Sequence, residues 1–151
     1  MTNWIQLTEA DLHRYLAEPQ VTALRTVALA DGQPDPLPEI LADVSARIRA
    51  EVAACPRNRL SADPALIPPE LKGAAVALAA AALQSRVPPV RLTRDQDRSA
   101  DNARRLLKRV AEFEVAIAVP PDPAPASDYP SGGFTGGARP RTATGETLKG
   151  L

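Results

Sequence analysis

Hydrophobic positions recur every three or four residues through most of the first 118 residues, which is the period of an amphipathic α-helix. The clearest run is DPLPEILADVSARIRAEVAAC, residues 35–55, where apolar positions share one face and charges occupy the other. Its apolar positions are Leu37, Ile40, Leu41, Val44, Ile48 and Val52. Asp35 followed by Pro36 is a typical helix start, since the carboxylate caps free N–H groups and proline fits the first turn. The pattern predicts one long helix with a buried face.

Two shorter helices are predicted before it. In LTEADLHRYL, Thr8 and Asp11 have the spacing of a capping box. In the next segment, 18–32, Pro19 suits a first turn and Asp31-Gly32 is a stop signal. The apolar stripe of that segment is Val21, Leu24, Ala28 and Leu29.

Two helices are predicted after a turn-rich loop at 56–67. Residues 68–87, PPELKGAAVALAAAALQSRV, are apolar on nearly every face, which predicts a central helix whose alanines let its neighbours approach closely. The last helix begins at the Thr93–Gln96 capping box and extends to about Ala116. Its predicted buried face is Ala103, Leu106, Leu107, Val110, Phe113 and Ile117. No segment shows a convincing strand pattern, so the sequence predicts an all-α bundle of four to five helices.

The composition changes near residue 119. Six of the eight glycines and six of the sixteen prolines fall in 120–151, a composition that cannot bury enough apolar surface to offset chain entropy. We therefore predict a helical domain at 1–118 and an extended C-terminal arm at 119–151 that is disordered until bound. Spaced anchors in the arm favour recruitment of a partner, while an inert solubilising extension is the alternative. The anchors are Tyr129, Phe134, Arg139, Arg141 and Leu148.

Overall charge and composition argue against several classes of protein. Lys and Arg number 18, as do Asp and Glu, so no global field attracts nucleic acid or an anionic membrane. Aromatic residues make up 3% of the chain, too few for a base-stacking platform.

The longest apolar run, 73–83, is well short of a bilayer span of about 20 residues. The start of the chain has no signal-peptide pattern, and a single cysteine fits a reducing compartment. A protein without a membrane partner, made in a cytoplasm, is expected.

No residue pattern points to catalysis. His13 and Cys55 are the single histidine and the single cysteine, which is too few for a metal site or a Cys–His nucleophile pair. The carboxylates of Asp95, Asp97 and Asp101 alternate with arginines, as on a solvated helix surface. We expect no enzyme, no metal and no cofactor.

One local charge asymmetry is present. Residues 86–109 carry eight basic side chains against three aspartates, a local net charge of +5. A solubilising face is the simpler interpretation, and a surface that meets DNA or an acidic partner is the functional one. The candidate residues for that basic face are Arg91, Arg94, Arg98, Arg104, Arg105, Lys108 and Arg109.

The order of these segments resembles the Mu-like prophage family of small head–tail connector (adaptor) proteins. The resemblance covers about residues 4–117 and rests on short phrases in a fixed order. These phrases are WIQLTEADLHRYL, an Ala/Leu helix closed by ADG, DPLPEILADVSARIRAEVAAC, IPPELKGAAVALAAAALQSRV and a basic final helix. The arm matches the C-terminal segment of related connectors by position and composition, not by residue identity.

The resemblance implies a structural role in the virion. Such proteins form a ring, usually of twelve copies, under the portal protein; they extend the DNA channel and give tail or neck proteins (a stopper or tail terminator) a platform. It also implies that the C-terminal arm docks on the portal and that packaged DNA passes nearby. Two alternatives stay open: a cytoplasmic bacterial adaptor that binds a protein through its arm, and a nucleic-acid binder that uses the basic face.

Overall fold

The computed structural model describes residues 3–26, 32–86 and 93–123, and within them the predicted all-α fold is confirmed. A 3₁₀ turn, Pro69–Leu71, leads into the fourth helix. The helices described are α1 (Glu9–His13), α2 (Glu18–Thr26), α3 (Leu37–Ala53), α4 (Lys72–Arg86) and α5 (Arg94–Ala111). None of them is both long enough and apolar enough to cross a membrane.

Three helices start where the sequence predicts, because the signal is a local hydrogen bond. At α3, Leu37 N–H donates to Asp35 Oδ1 at 3.1 Å. At α5, Gln96 N–H donates to Thr93 Oγ1 at 3.3 Å, and Thr93 N–H donates to Gln96 Oε1 at 2.9 Å. At α1, Thr8 N–H and the Thr8 hydroxyl both donate to Asp11 Oδ2, at 3.2 and 2.9 Å. Each backbone N–H in these bonds is one that a helix start leaves without a partner in the helix, and the Thr8 hydroxyl bond holds the Asp11 side chain in position.

The alanine-rich helix α4 is central, as its all-round apolar pattern predicts. It contacts each of the other four helices. Ala75, Ala79 and Ala80 are fully buried, so neighbouring backbones lie close to α4 at these positions. One continuous core results, and its largest fully buried side chains are Leu12, Leu16, Leu24, Leu37, Ile48, Ile67, Leu71 and Leu83.

The expectation that the chain contains no strand is wrong. Strand β1 (Ile5–Gln6) pairs antiparallel with β2 (Leu66–Ile67), with Ile5 opposite Ile67 and Gln6 opposite Leu66. Strands of two residues are too short to show the period-two alternation by which strands are recognised. The pairing ties the start of the chain to the loop before α4.

The predicted end of α5 at Ala116 and the predicted burial of Phe113 are also wrong. The helix ends at Ala111 because Phe113 takes a left-handed conformation with φ of 61°. Glu114 N–H then donates to Arg109 O at 2.8 Å and Phe113 N–H to Val110 O at 3.1 Å, which is the Schellman arrangement. Phe113 is 42% exposed, whereas Ile117 packs on the core from the extended chain that follows.

Candidate partner-binding surfaces

The chain after α5 is attached to the bundle. We call residues 112–123 the C-terminal strap. The buried indole of Trp4 donates from Nε1 to Ala118 O at 2.9 Å, and Arg59 Nη2 donates to Pro120 O at 3.0 Å. Pro120 itself is buried. The first five residues of the predicted arm, 119–123, therefore lie against the helical domain.

Asp122 makes the last side-chain contact of the strap. Its Oδ2 accepts from the Ser61 hydroxyl at 2.5 Å and from Ala62 N–H at 2.8 Å. These hydrogen bonds, with the Ser61 bond as the larger contribution, hold the pKa of Asp122 below its usual value. The strap therefore ends on the loop before β2.

Arg49 holds that loop in place. From α3, its Nη1 donates to Asp63 O at 2.9 Å and to Leu66 O at 2.8 Å, while Nη2 donates to Ser61 O at 2.8 Å. Its guanidinium also lies over the Trp4 ring, 6.0 Å from the centroid. Trp4, Arg49, the loop and the strap thus form one connected network, which fixes the point where the chain leaves the bundle.

Sequence reasoning did not identify this network. Its partners are far apart in the chain, with Asp122 and Ser61 separated by 61 positions. One signal was available: Arg49 directly follows Ile48, so it lies at the border of the buried stripe of α3, where a long side chain can reach a neighbouring segment. Asp122 has no comparable signal, because its Pro-rich surroundings are typical of any extended segment.

The predicted basic face is present on α5. Arg94, Arg98, Arg105 and Arg109 are spaced by four, seven and four residues, which places them on one side of the helix. All four are exposed, and they extend over about 22 Å of the helix axis. The chain therefore presents a linear row of guanidinium groups. Arg104 and Lys108, also predicted for this face, are exposed on α5 as well, and Arg91 lies outside the described residues.

Ion pairs reduce only part of this charge. Arg104 pairs with Asp101 at 2.7 Å, Arg109 with Glu114 at 3.0 Å, and Lys108 approaches Glu112 at 3.8 Å. Within the described parts of the chain, no carboxylate pairs with Arg94, Arg98 or Arg105. The interleaved aspartates, Asp95, Asp97 and Asp101, are exposed, so the prediction of a solvated helix surface is confirmed.

An apolar groove lies beside α3, and we call it the α3 groove. It encloses about 540 Å³ between the start of α3, the end of β1 and the Pro64-Ala65 turn. Its walls are mainly apolar, with a few polar groups among them. The lining residues are Gln6, Leu7, Thr8, Glu9, Leu37, Pro38, Leu41, Ala42, Ser45, Pro64 and Ala65.

The partly buried charges tie helices together. Arg25 on α2 pairs with Glu9 on α1 and with Asp35 before α3, and the Arg25 hydrogen bond holds the pKa of Asp35 below its usual value. Burial opposes ionisation of Asp11, but its bonds to Lys72 and Thr8 outweigh that effect, so its pKa is also lowered. These carboxylates are ionised at neutral pH, which suits ion pairs between elements.

The remaining candidates for chemistry have ordinary surroundings. His13 contacts Glu9 at 3.2 Å, one helical turn away on α1, and Cys55 is buried as a free thiol. In the three described ranges, no group of three His, Cys, Asp or Glu side chains could hold a metal ion.

The arm candidates Tyr129, Phe134, Arg139, Arg141 and Leu148 lie outside the described residues. Comparisons of the chain with protein-family models, with curated proteins and with solved structures find no match.

Proposed function

We propose that this chain is a structural virion protein, a head–tail connector that forms a ring under the portal and gives tail or neck proteins a docking platform. The observation that carries the proposal is the fixed root of the arm. Three side chains, Trp4, Arg59 and Asp122, attach the strap to a helical bundle, and 28 residues follow Pro123. An arm that leaves a compact body at a defined point suits attachment to a larger neighbour.

The reach of such an arm fits contact between subunits. Twenty-eight residues can extend at most about 100 Å, several times the width of a small helical domain. Repeated in about twelve copies, weak contacts at the arm anchors combine into stable attachment through effective concentration. The family resemblance supplies the identity of the neighbour, the portal protein; the protein is made in the host cytoplasm and ends in the neck of the virion.

Light scattering coupled to size exclusion tests this proposal. The full-length protein is measured alone and mixed with the portal ring of its phage, and we expect about twelve copies on each portal ring. Tyr129→Ala/Phe134→Ala in the arm should lower that occupancy, whereas Thr142→Ala/Thr144→Ala, a double alanine substitution in the same arm that removes no large apolar side chain, should not. A protein that stays separate from the portal in every mixture would reject the connector and favour the cytoplasmic adaptor.

The unpaired arginines of α5 favour a second candidate function, contact with DNA backbone. Arg94, Arg98 and Arg105, which pair with no carboxylate in the described parts of the chain, can each neutralise a phosphate. The affinity for any duplex would then fall with salt with a logarithmic slope of about −2.7. Arg94→Gln/Arg98→Gln should reduce the size of the slope by about 1.8. Arg14→Gln/Arg47→Gln removes the same charge elsewhere on the bundle and should leave the slope unchanged. Equal slopes for all three proteins would show that the row is only a solubilising face.

A further inference from the structure

We propose that residues 124–130, APASDYP, dock in the α3 groove of their own chain, so that the first part of the arm is stored on the bundle when no partner is bound. This inference does not depend on the connector proposal. It concerns the chain alone and names a binding site for a segment of that chain.

The path of the strap brings the segment to the groove. Asp122 accepts hydrogen bonds from Ser61 and Ala62, so Pro123, the next residue and the last one described, is beside this loop. Pro64, which lines the groove, is two residues after Ala62, and two residues extend over at most about 7.6 Å. The segment therefore starts next to one wall of the groove.

The walls of the groove suit the segment chemically. Leu7, Leu37, Pro38, Leu41 and Pro64 give it a mostly apolar lining. The segment holds two prolines, two alanines and one tyrosine in seven residues. Proline-rich strands dock in apolar grooves at low entropic cost because their backbone is already extended and makes no internal hydrogen bonds.

Because the segment is tethered to the bundle, even a weak intrinsic affinity for the α3 groove is sufficient for substantial occupancy. Tyr129 is six residues after Pro123, a reach of about 19 Å in an extended proline-type helix. A ligand on so short a tether has an effective concentration in the millimolar range, so a millimolar intrinsic Kd gives substantial occupancy. Tyr129 is the largest apolar side chain of the segment and is its expected anchor.

Paramagnetic broadening in NMR spectra of the full chain tests the proposal. Cys55→Ala removes the buried native thiol, and Ser127→Cys carries a spin label. We expect strong broadening of the Leu41, Ala42 and Ala65 amides, together with a change in their chemical shifts when Tyr129→Ser is added. Tyr129→Ser keeps the tether and the bundle intact and should reduce the broadening several-fold. Leu41→Gln changes the groove instead and should have the same effect.

Two other outcomes overturn the proposal. Equal broadening with and without Tyr129→Ser would show a tethered segment that does not dock. Broadening that appears only on ¹⁵N-labelled chains mixed with separate spin-labelled chains would assign the groove to the arm of a second copy. Strong broadening in a protein that does not bind the portal would leave this inference standing while the connector proposal fails, so the two failures are distinguishable.

Discussion

Phe113 has the most unusual backbone conformation among the described non-glycine residues. It is their single case of positive φ, at 61°, and it occupies the position after a helix where glycine is usual. A left-handed conformation costs an L-residue about 1–2 kcal/mol. The compensation consists of the two Schellman hydrogen bonds and the guanidinium of Arg57, 5.0 Å from the centre of the Phe113 ring. The strain ends α5 and directs the chain into the strap.

A pair of substitutions separates the backbone strain from the ring. Phe113→Gly and Phe113→Ala both remove the contact with Arg57, but only glycine removes the strain. We expect Phe113→Gly to be more stable than Phe113→Ala by about 1 kcal/mol, measured by urea unfolding. At Ala50, an exposed position inside α3, glycine should instead be less stable than alanine by a similar amount. The same order of stability at both positions would argue against strain at Phe113.

Asp11 makes stability depend on pH. Its pKa is lowered in the folded state, so the folded protein binds the Asp11 proton less readily than the unfolded chain does. The resulting stabilisation is present above the unfolded pKa of about 3.9 and is lost as pH falls through the folded value. Asp35 and Asp122 have lowered pKa values too, so the whole protein should lose stability in acid.

Asp11→Asn isolates one of these groups. The variant loses the ion pair with Lys72, so we expect it to be about 1 kcal/mol less stable than the parent at pH 7. The difference should shrink as pH falls through the lowered folded pKa of Asp11, where the carboxyl becomes protonated in the parent as well. Urea unfolding at several pH values measures it. A difference that stays constant from pH 7 down to the acid unfolding of the parent would mean that the charge of Asp11 is not the cause.

At the scale of single elements, local sequence signals predicted where the helices start better than where they end. Helix starts depend on a side chain such as Asp35 or Thr93 bonding to a backbone group within three residues, so the sequence alone contains the information. The end of α5 depends on Phe113, whose left-handed backbone conformation is unfavourable for any residue other than glycine. The apolar spacing that runs on to Ile117 reflects packing of the extended strap, not further helix, and period alone does not distinguish the two.

Arg49 is the residue on which the loop and the strap both depend. Lysine keeps the charge but lacks the planar, forked guanidinium, whose two terminal nitrogens bond to three separate carbonyls while the group lies over Trp4. We expect Arg49→Lys to lower the free energy of unfolding by about 2 kcal/mol. It should also change the fluorescence of Trp4, the single tryptophan.

Arg47→Lys is the matched control for that change. Arg47 is exposed on the same helix, so its replacement should shift the free energy of unfolding by less than about 0.5 kcal/mol. Equal effects of the two substitutions would show that the carbonyl contacts of Arg49 contribute little to holding the loop.

At the scale of the whole molecule, the sequence predicted the class of fold and the central helix, but not how the segment before α1 and the strap attach to the bundle. Ile5 pairs with Ile67 and Trp4 bonds to Ala118, contacts that span 62 and 114 positions. Contacts of that range follow from the assembled bundle and have no local pattern. The basic face was predictable because its described residues all lie on one helix. The contacts of the strap were not, because they involve four segments that are far apart in the chain.

The central position of α4 gives a prediction for the whole bundle. Because α4 contacts all four other helices and Ala79 is fully buried, the extra carbons of Ala79→Leu have no space. Overpacking of this kind costs about 1–3 kcal/mol. Since the core is continuous, we expect the loss to appear equally in the slowest-exchanging amides of α3, α4 and α5 in native-state hydrogen exchange. Ala46→Leu, on the exposed face of α3, adds the same group to the surface and should leave these exchange rates unchanged. A loss confined to α4 amides would show that the helices open independently, and the bundle would then be an unsuitable rigid root for the arm.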